Sequence, residues 1–132
     1  MVLALQRATH HTLHALSAEL ADLNLSAAEI NALANLGEGE TLNVRQLSER
    51  TGTRASTLTG LLDRLENRGY VARELDPADR RSFRLPLTES GQTVAARVLA
   101  AVADLEHKAL SRLDATQLAG YHVVITALQE AC

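Results

Sequence analysis

Ser56-Thr57-Leu58-Thr59-Gly60-Leu61-Leu62-Asp63-Arg64-Leu65-Glu66-Asn67-Arg68-Gly69 carries leucines at three- and four-residue steps. That spacing predicts a helix from about Arg54 to Asn67 with a single apolar stripe of Leu58, Leu61, Leu62 and Leu65. At about 3.6 residues per turn, Ser56, Thr59, Gly60, Asp63 and Asn67 fall opposite the leucines, and Thr57 and Arg64 lie on the flank. Only the leucine face needs burial, so the small polar face is free to enter a major groove. Gly60 costs a helix about 1 kcal/mol relative to Ala. A helix with no side chain at that point can sit close to DNA, and simple tolerance of the glycine is an equally good reading.

The neighbouring segments supply the rest of the arrangement. Asn43 caps a short preceding helix, with Leu42 and Leu47 as its hydrophobic staple, and that helix stops at Thr51-Gly52. On the other side Gly69 suits a left-handed C-cap. The period then changes. Tyr70-Val71-Ala72-Arg73-Glu74 is short and β-prone, Asp76-Pro77-Ala78-Asp79 signals a turn, and Phe83, Leu85 and Leu87 alternate with Ser82, Arg84 and Pro86. The pair predicts a hairpin with an arginine-bearing tip. Upstream, Leu25-Ser26-Ala27-Ala28-Glu29-Ile30 reads as a helix start with Ser26 as cap and Glu29 completing a capping box. A first helix covers roughly Leu3 to Leu23. Downstream, Thr88 caps a long helix reaching about Leu110, and Asp114 with Gln117 starts the last one. The predicted fold is mainly α with a small β-hairpin wing. It is a winged helix-turn-helix (25–91) between an N-terminal helix (1–24) and C-terminal helices (92–132), the flanks serving dimerisation in one compact subunit.

The net charge of −3 argues at first against nucleic acid, but it conceals an asymmetry. Residues 43–84 hold nine arginines against six acids, a local net of +3, while the remainder nets −6. A basic centre on an acidic scaffold fits a DNA-facing middle. The 132 residues, 46% hydrophobic and 22% charged, exclude a disordered chain and predict a single folded unit. No apolar run approaches a membrane span, and Gln6 and Arg7 interrupt the apolar start too soon for a signal peptide. The expectation is a cytoplasmic protein with no membrane partner. Cys132 is the only cysteine, which excludes an intramolecular disulfide and a CxxC metal site.

Four linked motifs then resemble one family. They are Leu47-Ser48-Glu49-Arg50-Thr51-Gly52, the run from Ser56 through Tyr70-Val71, Asp79-Arg80-Arg81, and Leu87-Thr88-Glu89-Ser90-Gly91. In order and spacing they look like the MarR family of bacterial transcription regulators. The resemblance implies an obligate homodimer with interleaved first and last helices. It also implies a duplex, pseudo-palindromic operator with two half-sites, and often release by a small molecule. It makes Asp79 the acid that orients Arg81 at a minor-groove tip. Many relatives carry an acidic cap and a proline where Arg54-Ala55 stand here, so Thr53 is expected to cap the central helix. Many also carry a large polar residue in place of Gly60.

The expected DNA-binding residues are therefore Arg45, Thr53, Arg54, Ser56, Thr57, Thr59, Gly60, Arg64, Asp79, Arg80 and Arg81. Arg80 and Arg81 suit a narrow minor groove; Arg45 and Arg54, near helix starts, suit phosphate. Leu13, Leu16, Val98, Val102, Leu118, Tyr121, Ile125 and Leu128 form the expected dimer interface. The resemblance also suggests an effector pocket where end helices meet the winged domain, with His10 and His14 its polar residues and a small aromatic or carboxylate ligand its occupant. His10 and His14 share a helix face, but two ligands with no cysteine or acid cluster are too few for a metal site, and no cofactor is expected. No phosphate loop, glycine fingerprint or catalytic triad order is present, so the chain does not read as an enzyme. The reading is a dimeric DNA-binding regulator, a repressor. A winged-helix module for protein–protein assembly and a metal-sensing regulator are the alternatives.

Overall fold

The computed structural model describes every residue from Met1 to Cys132. Helix α1 (Val2–Glu19) runs into a single 3₁₀ turn at Ala21–Leu23, and Asn24, in the left-handed region at φ 51°, redirects the chain into α2 (Ala27–Leu36). Ser26 caps α2 by accepting the Glu29 N–H at 3.1 Å. The predicted reciprocal half of the box is absent, because the Glu29 side chain turns inward to Arg64 and Arg68. Helix α3 (Val44–Thr51) starts on a full capping box of Asn43 and Gln46, and Gly52, at φ 66°, turns the chain sharply toward α4.

Helix α4 (Ala55–Asn67) buries Leu58, Leu61, Leu62 and Leu65 as its spacing predicts. Its cap corrects the expectation for Thr53. The N-cap residue is Arg54, with no side-chain hydrogen bond. Thr53 belongs instead to the turn: its carbonyl accepts the Ser48 hydroxyl at 2.7 Å and its N–H donates to Thr51 Oγ1 at 3.3 Å. Gly69 closes the helix at φ 76°, where a Cβ would be strained.

The hairpin is shorter than its apolar pattern suggested. Strands β1 (Glu74–Leu75) and β2 (Phe83–Arg84) pair antiparallel, Glu74 opposite Arg84 and Leu75 opposite Phe83. Val71 and Leu87 meet as an isolated bridge nearer the base. The missing ladder bonds go elsewhere. Leu85 N–H donates to Leu42 O at 2.9 Å, and Asn43 bridges Arg84, so the segment before α3 acts as a third partner.

Helix α5 (Glu89–Leu110) begins at Thr88, which accepts the Gly91 N–H at 3.0 Å. Its start is pressed against the turn after α4. A Cβ on Gly91 would lie 1.8 Å from the Tyr70 carbonyl oxygen, so only glycine fits. Helix α6 (Ala115–Ala131) starts on an Asp114–Gln117 capping box. One core runs from α1 through α5: Leu16 and Leu20 from α1, Ile30 and Leu33 from α2, Leu47, the α4 leucines, Leu85, and Val94, Val98 and Ala101 from α5. Each fully buried leucine contributes about 1.5–3 kcal/mol, which holds α4 with its polar side outward. The α5 stripe expected at a dimer interface is thus largely internal, packed on α1 and α2. Helix α6 buries no residue. No helix is long and apolar enough to cross a membrane.

Candidate nucleic-acid interface

With its leucines buried, α4 leaves Ser56, Thr57, Thr59, Asp63 and Asn67 exposed. Thr59 Oγ1 donates back to Ala55 O at 3.0 Å, which leaves its oxygen lone pairs outward. Gly60 meets no packing demand from the protein: a Cβ there would approach only Arg64 Nη1, at 3.8 Å. The glycine therefore clears the outer surface of the helix and serves no internal contact.

The hairpin tip is built by two acids. Asp76 is buried; its Oδ1 accepts the Ala78 N–H at 3.0 Å, and its Oδ2 lies 3.5 Å from Asn43 Nδ2. Asp79 Oδ1 accepts the backbone N–H of Arg81 at 3.0 Å. This modifies the expected role of Asp79, which shapes the turn that carries Arg81 and makes no ion pair with its guanidinium. Arg73 fastens the hairpin to α4 through ion pairs with Asp63 and, at 2.9 Å, with Glu66. It also neutralises an acid on the outer face of α4 that would repel phosphate.

A single cleft between α3, the start of α4 and the hairpin gathers Arg45, Thr59, Asp79 and Arg81, with Arg73, Asp76 and Phe83 beside them. Ser56, Thr57, Arg54, Gly60, Arg64 and Arg80 lie outside that cleft, and Thr53 is held in the α3–α4 turn. Of the nine arginines in the basic segment, Arg50, Arg64, Arg68 and Arg73 are bound to acids, and Arg45 pairs with Glu49 on the exposed surface. Exposed pairs of that kind contribute little. Arg54, Arg80 and Arg81 are exposed and carry no internal ion pair, and Arg84, half-buried in β2, has none either. The exposed uncompensated positive charge therefore sits at the head of α4 and on the hairpin tip, where an anionic ligand would be drawn.

The remaining expected sites are scattered. His10 and His14 are exposed on α1 and line none of the three main clefts. No three His, Cys, Asp or Glu side chains gather as a metal set. Leu16 and Val98 lie in the subunit core, which corrects their assignment to a dimer interface; α5 spends that stripe on its own chain. Leu13, Val102, Leu118, Ile125 and Leu128 are half-buried, and Tyr121 is 56% exposed. Sequence reasoning missed three residues that build this surface: Asp76, Arg73 and the buried Glu29. Asp76 was visible only as a turn former, Glu29 meets Arg64 from 35 residues away, and Arg73 reaches back from the hairpin to Glu66 and Asp63 of α4.

The MarR family model matches residues 22–82, from the 3₁₀ turn to the hairpin tip. Over that stretch, a little under half of its length, the chain is similar to the MarR family. A HTH-type transcriptional regulator of Bacillus subtilis, YfiV, is 39% identical over 72 residues, 54% of this chain and 45% of that protein. The chain thus spans about half the length of such curated relatives. Among solved structures, CouR from Rhodococcus jostii RHA1 bound to p-coumaroyl-CoA is similar at a TM-score of 0.82 and 26% identity, over 95% of this chain and 88% of that one. MepR of S. aureus, in its DNA-binding conformation, shares the fold at a TM-score of 0.89 and 17% identity, over 98% of this chain and 96% of that one. Residues 22–82 thus form a winged helix, and the helices on either side share the architecture of those neighbours.

Proposed function

We propose that the protein is a homodimeric, sequence-specific double-stranded DNA-binding regulator of transcription, acting in the cytoplasm as a repressor. The observation that carries this is the joint presentation of an α4 face of small polar side chains and a hairpin tip bearing unpaired Arg80 and Arg81. The α4 face of Ser56, Thr57, Thr59, Gly60 and Arg64 reads base edges in the major groove, while Arg80 and Arg81 enter the adjacent minor groove. Arg54 and Arg45 contact phosphate and fix the register. Leu13, Val102, Leu118, Tyr121, Ile125 and Leu128 form the subunit interface with α6 at its centre. The two recognition helices then meet half-sites of a pseudo-palindrome about one helical turn apart, roughly 10 bp between centres.

A small aromatic acid, or a thioester of one, bound near His10 and His14 releases the operator by changing the spacing of the two α4 helices. The test is selection of duplexes from a random pool, followed by mobility shift of the selected sequence. A retarded, salt-sensitive band supports the reading, and no selected sequence would leave the assembly-module alternative. For release, aromatic acids are screened by thermal shift and titrated with and without operator. Ligand and operator must weaken each other by the same factor.

A further inference from the structure

Glu29 is the one buried carboxylate that does not build its own local turn. Only 6% of it is exposed. It lies in the first turn of α2, yet its two oxygens face α4. Oε1 accepts from Arg64 Nε at 3.1 Å, and Oε2 stands 3.5 Å from Arg68 Nη1 without the alignment of a hydrogen bond. Arg68 continues to the α1–α2 corner, donating from Nη1 to Asn24 O at 2.8 Å. A buried charge is costly unless paired, so this carboxylate fixes both guanidiniums.

What it fixes differs between the two. Arg68 is consumed by backbone carbonyls. Arg64 is 57% exposed, and only its Nε is engaged within the chain. Its terminal nitrogens remain free, with Nη1 near the vacant side-chain position of Gly60. A guanidinium held at Nε has its outer fork pre-set, which lowers the ordering cost of a bidentate contact.

We propose that Glu29 is a positioning residue for operator recognition. It aims the Arg64 fork along the α4 surface that Gly60 leaves clear, and so couples the α1–α2 corner to base reading. The proposal rests on the DNA-binding reading above. It goes beyond it by making Arg64 an oriented base reader whose fork a lysine cannot replace, and by placing the orienting group outside the DNA surface.

The test uses the full chain, a duplex selected with the wild type, and its scramble, by fluorescence anisotropy at fixed salt. Glu29→Gln keeps the shape and removes the charge. It is expected to lower the operator-to-scramble affinity ratio at least about fivefold, the lower end for a bidentate base contact. Arg64→Ala should lower it as much or more, and the double variant should be no worse than Arg64→Ala alone. Arg64→Lys, at an exposed position that leaves folding intact, should lose the ratio while keeping binding to the scramble. The proposal is overturned if the two single losses multiply in the double variant, or if Arg64→Lys keeps the wild-type ratio. If the wild type prefers no duplex to its scramble, the DNA-binding reading itself fails, which is a separate outcome from loss of coupling.

Discussion

Arg81 bears the most exposed test of the wing. Its backbone is pinned by Asp79 Oδ1 while its guanidinium has no partner in the chain. Arg81→Ala should leave the melting curve unchanged and weaken operator binding by about 1–3 kcal/mol, the range of one good base contact. Asp79→Ala should cost less, since it loosens the turn and leaves the charge; anisotropy with operator and scrambled duplexes measures both. Gly91 tests packing in the same way. A methyl there would overlap the Tyr70 carbonyl, so Gly91→Ala should displace α5 and sharply lower the thermal midpoint, seen by circular dichroism. At this scale the sequence was legible where a partner is local. Ser26, Asn43, Thr88 and Asp114 each cap the helix that their spacing indicated. Glu29 was misread because its position as N3 matched a capping box, whereas its actual partner Arg64 lies 35 residues away.

At the level of elements, α4 shows stability yielding to the surface it presents. A cation at a helix N-terminus opposes the macrodipole, and Arg54 occupies the N-cap without a side-chain bond. Arg54→Ser should therefore raise stability by about 0.5–2 kcal/mol, as a proper cap does, while weakening DNA binding; denaturant melts and anisotropy on one preparation show both signs. Asp22 in the 3₁₀ turn meets Arg97 of α5 at 2.6 Å. That hydrogen bond, and then the charge of Arg97, holds the Asp22 carboxyl below its ordinary value. A lowered folded pKa contributes stability above the unfolded value, near about 3.9, and loses it as pH falls through the folded value. The small stability gap between wild type and Asp22→Asn in urea should therefore be present at pH 6 and close in strong acid. Helices were readable because each carries its own stripe, and α2, α3, α5 and α6 also carry their own side-chain caps. The hairpin was overextended because alternation of Phe83, Leu85 and Leu87 does not reveal that Leu42, from a distant segment, takes the Leu85 N–H.

For the whole molecule, the core decides which apolar surface is left for a second copy. Val98 is fully buried between α5 and the first two helices, so Val98→Asp should unfold the subunit. Leu128→Asp, on the helix that buries nothing, should leave the winged domain folded and shift the dimer toward monomer in sedimentation. The stripes on α1, α5 and α6 looked alike in sequence; which one is internal depends on how α1 and α2 dock on α5, a long-range fact. The basic segment was legible from counting charges, but its active part was not. Five of its arginines are tied to acids, and the exposed unpaired ones cluster at the head of α4 and the tip of the hairpin. The account therefore stands on those few charges meeting phosphate in a duplex read by a pair of subunits. Anisotropy of the dimer on its selected operator, across a fourfold range of salt, measures this directly. Log affinity should fall linearly and steeply with log salt, as counterion release requires, with two chains per duplex. An affinity flat across that range would contradict it.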